Sequence, residues 1–355
     1  MLLSDYWNLL STNKFKIHPT RYPMTSLVGA TATANSCLRP LQEILYSKRV
    51  ENTPLTAPPV FIIGHWRSGT TLLHELMSLD EQFCYPTTYD AFVPHHFLVT
   101  GWIGEPFINL LMPKKRPMDN MPVKSGLPQE DEFGLLSLGG PTAYRRFAFP
   151  NNDTDYARYL DGDLLTNSEL SETKEKMVGF LQSLNYKYKK RMLLKSPPHT
   201  GRVQLLREWF PGAKFIHIAR HPYRLVPSTL KLWQTLDVIQ SFQIAKYDCG
   251  QLLAFVNKCQ KTMYGAFDRD AAELEENEIA FVKFEDLIAD PVREISQIYN
   301  KLELPGLNAA ATKIDQNFRS RKHKKNEFEL HPAIGQEIDT HWSDYMQRYG
   351  YDPGV

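Results

Sequence analysis

Residues Pro59–Leu73 read PVFIIGHWRSGTTLL, and their reading decides the fold. Val60-Phe61-Ile62-Ile63 is a short apolar, β-branched run, the signature of a buried strand. It passes directly into Gly64-His65-Trp66-Arg67-Ser68-Gly69-Thr70-Thr71, and then into Leu72-Leu73-His74-Glu75-Leu76-Met77, which has helical spacing. Strand, glycine-bounded loop and helix together form the setting of a phosphate loop. Two glycines permit a tight backbone turn, and the loop N–H groups with the helix N-terminus cradle an anion.

The glycine spacing is that of a Walker A loop, G-x-x-x-x-G-K-[ST], with one change: Thr70 stands where the lysine belongs. The positive charge sits inside the loop, at Arg67. An NTP-hydrolysing loop uses its lysine on the β- and γ-phosphates and a hydroxyl on magnesium. Its replacement points to a ligand without a γ-phosphate.

Working outward, strands alternate with helices. Phe83-Cys84-Tyr85 is a short strand candidate. A helix over about 171–188 precedes the strand Met192-Leu193-Leu194, which leads into Lys195-Ser196-Pro197-Pro198-His199. A helix near 200–209 leads to the strand Lys214–Ala219, which ends at Arg220. Helices are expected from about 223 and 238, and the last strand, Ile279–Phe284, runs into Glu285-Asp286-Leu287. This alternation predicts an α/β fold: a parallel sheet covered by helices on both faces. In such sheets ligands sit outside the carboxyl ends of the strands. Arg67, Lys195 and Arg220 each lie just past such an end, so three cations are expected in one crevice.

Other stretches are less periodic. Residues 1 to about 50 read as helical, and Tyr6, Trp7, Leu9 and Leu10 are either an interfacial anchor or a stripe packed on the domain, the second being favoured. From Pro86 to about Pro128 the chain is rich in proline, aromatics and histidine. It includes His95-His96, Trp102 and Lys114-Lys115-Arg116, and is read as a long irregular segment serving the acceptor. Pro128-Gln129-Glu130-Asp131-Glu132-Phe133 opens a helix with acids in its first turn, which suits the helix dipole.

Composition sets bounds. The 355 residues carry a net charge of +1, so no global field favours nucleic acid or an acidic membrane, and anion binding must be local. Hydrophobic residues make up 42%, enough for a sizeable core. Cys37, Cys84, Cys249 and Cys259 are scattered, without metal-ligand spacing, and read as reduced thiols in a reducing compartment. No apolar run is long enough to span a bilayer and no signal-peptide pattern opens the chain, so a cytoplasmic location is expected.

Arg67-Ser68-Gly69-Thr70-Thr71 after an apolar strand resembles the 5′-phosphosulfate loop of sulfotransferases, which use 3′-phosphoadenosine 5′-phosphosulfate (PAPS). Further stretches are similar. Phe215–Ser228, FIHIARHPYRLVPS, has the form of that family's 3′-phosphate site, an arginine leaving a strand and a serine on the next helix. Lys283-Phe284-Glu285-Asp286-Leu287 with Asp290-Pro291 resembles the stretch after its last core strand. Leu193-Leu194-Lys195-Ser196-Pro197 resembles the one carrying its strand-end lysine. The likeness covers roughly residues 59–291 and is nearest to the bacterial branch with G-H-W-R-S-G-T-T, P-Q-E-D-E and K-S-P-P-H motifs.

The resemblance implies a three-layer P-loop NTPase-like sandwich in a single sulfotransferase domain. A helical N-terminal extension (1–55), an acceptor-pocket insert (86–190) and a C-terminal helical tail (306–355) would complete it. It implies a transferase catalysing sulfation of a hydroxyl or amine, with PAPS as cosubstrate, PAP as product and no metal. Ser68, Gly69, Thr70 and Thr71 would hold the 5′-phosphate, Arg67 and Leu72 would also bind the nucleotide, and Arg220 and Ser228 would hold the 3′-phosphate. Arg67 and Lys195 would serve the transferring group. The animal enzymes' C-terminal glycine-containing phosphate motif is replaced by a basic cluster, Arg319–Lys325. There Arg321, Lys322 and His323 either close on the nucleotide or form a solvated surface. The general base is ranked Glu130, then His199, then Asp90. A P-loop kinase and a non-catalytic nucleotide-binding protein are the alternatives. The acceptor, a small molecule, lipid or carbohydrate, is left open, as is the oligomeric state; Tyr85, Tyr89, Phe92, Trp102 and Phe107 suit an apolar or sugar surface and suit a core equally.

Overall fold

The computed structural model describes residues 1–111, 124–152, 154–320 and 330–354. The chain begins with α1 (Leu3–Thr12) and α2 (Tyr22–Glu51), then forms β1 (Val60–Ile63), α3 (Thr70–Met77) and β2 (Phe83–Cys84). Next come α4 (Thr88–Phe92), α5 (Phe97–Leu111), α6 (Asp131–Ser137), α7 (Asn167–Tyr188), β3 (Arg191–Lys195), α8 (Val203–Trp209), β4 (Lys214–Ala219) and α9 (Pro222–Gln240). The remainder is α10 (Cys249–Ala271), β5 (Ile279–Lys283), α11 (Phe284–Ala289), α12 (Pro291–Lys301), α13 (Leu307–Ser320), α14 (Pro332–His341) and α15 (Ser343–Tyr349).

Two compact units emerge. One comprises Met1–Ala57, Tyr85–Arg191 and Trp233–Asp248; the other comprises Pro58–Cys84, Met192–Leu232 and Cys249–Val355. The second holds a five-stranded sheet of order β2-β3-β1-β4-β5. β1 pairs in parallel with β3 on one side and β4 on the other, and β4 pairs in parallel with β5. The chain reverses its direction of travel across the sheet around β1, which opens a crevice at the carboxyl ends there.

Strand alternation separates the two faces. Val60, Ile62, Leu193, Ile216, Ile218, Ala280 and Val282 share one core with Leu73 and Leu76 of α3, Ile295 and Ile298 of α12, and Ile314 of α13. Phe61 and Phe215 stack on the opposite face, 5.7 Å between ring centroids, where His217 stacks on Phe267 of α10. The fold is thus the three-layer P-loop NTPase-like sandwich, its central sheet parallel. α12 shows how locally the sequence dictates it: Asp290 caps the helix by accepting from the Arg293 N–H at 3.0 Å, and Pro291 occupies the first turn.

The C-terminal residues are integral to this unit. Trp342 is fully buried, donates its indole N–H to Asn257 at 3.0 Å and meets the His65 ring at 5.2 Å.

In the first unit, the expectation of an irregular 86–128 stretch is corrected: α4 and α5 occupy 88–92 and 97–111. α5 reads FLVTGWIGEPFINLL, apolar nearly all round and interrupted by Gly101, Gly104 and Pro106, so it shows no amphipathic period. Gly104 is required there, since a Cβ would fall 2.1 Å from the Tyr89 hydroxyl. The helix expected from 238 is likewise corrected. α9 runs unbroken from 222 to 240 through Pro227, and the next helix starts at 249.

Candidate active site

The loop after β1 is shaped by backbone that only particular residues tolerate. Gly64 (φ +138°) lies so close to the Ile218 carbonyl that a Cβ would sit 2.4 Å from its oxygen. Gly69 (φ +109°) caps α3, and a Cβ there would meet the Phe284 ring at 2.4 Å. Arg67 also has a left-handed backbone (φ +67°), uncommon for a long side chain and the kind of strain that gathers at ligand sites. The Gly64 N–H donates to the Thr200 hydroxyl at 2.7 Å, tying the loop to the turn after β3.

These features aim Arg67 at α9. Its Nε donates to the Ser228 hydroxyl at 2.9 Å, while an Arg220 guanidinium N–H donates to the Arg67 carbonyl at 3.0 Å. The Arg220 guanidinium lies 4.4 Å over the Phe284 ring. Tyr345 of α15 fixes its backbone, the Arg220 N–H donating to the phenol oxygen at 3.1 Å. Burial pushes the Arg220 pKa down; Glu285 works against this and the Arg67 charge adds to it. An Arg220 guanidinium seated on the Arg67 backbone and destabilised by the Arg67 charge forms a site that gains by taking up an anion.

The other loop residues suit that ligand. Ser68 is fully buried, and among the described residues its hydroxyl has no hydrogen-bond partner; the same holds for Arg220 Nε. Orphaned donors of this kind are costly unless a ligand satisfies them. Thr70, Thr71 and Leu72 form the first turn of α3, whose N–H groups carry the positive end of the helix dipole. Lys195 ends β3, only 3% exposed, in register with Ile62 of β1 and so beside the loop's entry. Arg67, Arg220 and Ser228 are therefore in direct contact within the second unit, with Ser68 next to Arg67 in the loop and Lys195 at the end of the neighbouring strand.

The base candidates differ in setting. His199 follows Lys195 in a 3-10 turn, is wholly buried and packs edge-on against Phe61, 5.4 Å between centroids. Asp90, in the first unit, is fully buried, closes a capping box with Thr87, pairs with Lys187 at 2.7 Å and accepts from Tyr188 at 2.7 Å. Glu130, in the same unit, stands at the N-cap of α6, partly exposed, and accepts from the Tyr144 hydroxyl at 2.5 Å. Glu132 is buried and accepts from the Thr142 hydroxyl. The residues Arg321, Lys322 and His323, and the basic turn 114–116, lie outside the described residues.

Sequence reasoning missed the tyrosines and Trp342 behind this site, although YxxxY spacing in Tyr345–Tyr349 places both on one helix face. It also did not foresee that the Arg67 and Ser228 side chains are hydrogen-bonded to each other. No group of three or more His, Cys, Asp or Glu suited to a metal occurs among the described residues.

A parallel α/β sandwich with an arginine-bearing phosphate loop defines a nucleotide-dependent group-transfer fold. Comparison with known proteins narrows this. A sulfotransferase family model matches residues 58–308, and the chain belongs to that family. It is 36% identical over 350 residues to the omega-hydroxy-beta-dihydromenaquinone-9 sulfotransferase Stf3 of Mycobacterium bovis and of Mycobacterium tuberculosis, covering 98% of this chain and 89% of each relative. Among solved structures, sulfotransferase STF9 from Mycobacterium avium superposes with a TM-score of 0.75 at 16% identity, covering 96% of this chain and 88% of that one. STF1 from M. tuberculosis gives 0.64 at 16% identity, covering 90% and 93%. At that identity the last two speak for the fold. The chain is a sulfotransferase, and the kinase and non-catalytic alternatives fall away.

Proposed function

We propose that this enzyme moves the sulfuryl group of PAPS to the terminal hydroxyl of an isoprenoid-type lipid. The observation that carries the donor half is the junction of Arg67, Ser228 and Arg220 beside the orphaned Ser68 hydroxyl. The acceptor half rests on the 36% identical relatives, whose name states a hydroxylated menaquinone-derived lipid.

Bound PAPS supplies an activated sulfuryl group on a 5′-phosphate leaving group. Ser68 to Leu72 hold that 5′-phosphate through loop N–H groups and hydroxyls at the start of α3. Arg220 and Ser228 hold the 3′-phosphate, with Arg67 braced between the two sites. Lys195 meets charge developing on the transferring group and the bridging oxygen. Positioning and fixed charge do the work, as in phosphoryl transfer, and the sulfuryl group's lower charge lets cations and N–H groups suffice.

Glu130 is our choice for the general base. Asp90 is already committed to Lys187 and Tyr188, and His199 is sealed beneath the sheet. Glu130→Gln should lower kcat about 10²- to 10⁴-fold while leaving PAP binding unchanged. The four cysteines are free, which supports a reducing, cytoplasmic setting, and no described helix is long and apolar enough to cross a membrane.

The test is a thermal-shift titration with PAP in parallel with ATP and magnesium, followed by mass spectrometry of an ω-hydroxylated isoprenoid quinone incubated with PAPS and enzyme. A melting temperature raised by PAP, with sulfonated product, is expected. A rise with ATP and magnesium alone would overturn the donor assignment. PAP binding without product from any hydroxylated isoprenoid would overturn the acceptor.

A further inference from the structure

Away from the donor site, the first unit presents a face with its own chemistry. α1 buries Tyr6 and Leu10 in a small core with Ala32, Phe149 and Phe242, yet leaves Trp7 62% exposed. The chain then turns through Lys14 and Phe15, successive non-glycine residues with φ of 52° and 51°, a strained backbone for bulky side chains. Phe15, 47% exposed, stands edge-on to Trp7 with ring centroids 5.3 Å apart, and Lys14 and Lys16 beside it are exposed. The segment after α9 lies alongside. The His18 N–H donates to the Phe242 carbonyl at 2.9 Å, and the Gln243 side chain donates to the Lys16 carbonyl at 3.0 Å. This adds Ile244, 43% exposed, and the exposed Lys246.

Negative charge is sparse in these stretches, although the exposed Asp248 lies just past Lys246. From Tyr6 to Gln42 the chain has no Asp or Glu, nor has it any from 238 to 247. The neighbouring Asp237 is buried against Arg146 at 3.0 Å. A face turned only to water usually mixes both signs and shows few aromatics. Aromatic side chains interleaved with lysines, with few acids among them, instead match a bilayer interface: rings suit the headgroup level, and cations suit anionic lipid phosphates.

We infer that this face docks on an anionic lipid bilayer, Trp7, Phe15 and Ile244 entering the headgroup region and Lys14, Lys16 and Lys246 meeting the phosphates. The attachment is peripheral, and it stands apart from the acceptor proposed above, since blank membranes suffice to reveal it.

The experiment is co-sedimentation of the full chain with vesicles of phosphatidylcholine alone or mixed with phosphatidylglycerol, without PAPS or acceptor. Binding to the anionic vesicles, weakened by salt and far weaker on pure phosphatidylcholine, is expected. Trp7→Ser/Phe15→Ser should bind at least tenfold more weakly. Each of Lys14→Gln and Lys16→Gln should cost about fivefold, from ~1 kcal/mol per basic residue at an anionic surface. All variants should keep the wild-type melting temperature. Failure to sediment with anionic vesicles, or wild-type sedimentation by both sets of variants, would overturn the inference. So would a dimer in analytical ultracentrifugation that Trp7→Ser abolishes, which would assign the face to a second copy. Vesicle binding without lipid sulfonation would leave the inference standing and remove only the acceptor.

Discussion

Replacing Ser228 with alanine tests the anion site with little disturbance to the fold. Ser228 is buried at 4% exposure, and its hydroxyl accepts from Arg67 Nε at 2.9 Å. Loss of one oxygen leaves little space behind, and Arg67, half-buried, can turn its Nε toward water. Folding stability should fall by less than about 1 kcal/mol. Binding should suffer more. A hydrogen bond to a charged group contributes about 1.5–3 kcal/mol, so PAP should bind about 10- to 150-fold more weakly. Arg67→Ala should cost a similar amount, but the two losses should overlap, because each residue positions the other against one anion. Residues sharing such a network show coupling of about 0.5–3 kcal/mol, and the double variant should fall about 1 kcal/mol or more short of the sum. Isothermal titration calorimetry with PAP on the wild type, both single variants and the double variant closes the cycle. Additivity within about 0.5 kcal/mol would refute a shared anion site.

Other substitutions separate architecture from chemistry. Asp90→Asn should destabilise the protein by about 3 kcal/mol in urea denaturation by breaking the buried pair with Lys187, with kcat per folded molecule unchanged. A hundredfold fall in kcat at wild-type stability would instead make Asp90 the base. Gly69→Ala places a methyl 2.4 Å from the Phe284 ring at φ +109°, so PAP binding in calorimetry should be lost. Adding Phe284→Ala should restore it only in part, because the backbone strain stays. Burial pushes the pKa of His65 down to about 4 and that of His217 down to about 3, so both are neutral when folded. Below the ordinary histidine pKa of 6.5 the unfolded chain therefore holds more protons. Stability should fall as pH drops from 6.5 toward those values, at up to about 1.4 kcal/mol per pH unit per histidine. Urea midpoints from neutral to acid pH measure this; a flat profile would refute it, and His217→Gln should shallow the slope.

The inner strands of the sheet were legible because they are buried on both faces. Val60–Ile63, Met192–Leu194 and Lys214–Ala219 read as apolar runs, with Arg67, Lys195 and Arg220 marking their carboxyl ends. Helix boundaries were harder where their signal lay outside the periodic stretch. α7 begins at Asn167 because Thr166 and Glu169 form a capping box, ahead of the periodicity that suggested 171. α5 escaped for the opposite reason, its apolar residues lying on every side. The second helix start expected near 238 falls instead inside α9, which runs on to Gln240 with Pro227 accommodated within it.

The donor site was readable in its parts but not in its wiring. Ser68–Leu72 form a contiguous loop and helix start, and Arg220 and Ser228 lie eight residues apart across one turn, so local spacing picks them out as candidates. What joins Arg67 to Ser228 is a contact across 161 residues, made possible because a left-handed backbone at Arg67 swings its side chain toward α9. No pattern of residue types encodes that backbone choice; it follows from the close approach of Gly64 to Ile218 and of Gly69 to Phe284. The consequence is chemical. With its Nε on Ser228 and its carbonyl on Arg220, Arg67 ties the loop to the two residues proposed for the 3′-phosphate. Lys195, at the end of β3 beside the loop's entry, is the cation proposed for the group in transfer. On the proposed assignment, binding charge at Arg220 and catalytic charge at Lys195 would stand at the two strand ends that flank β1.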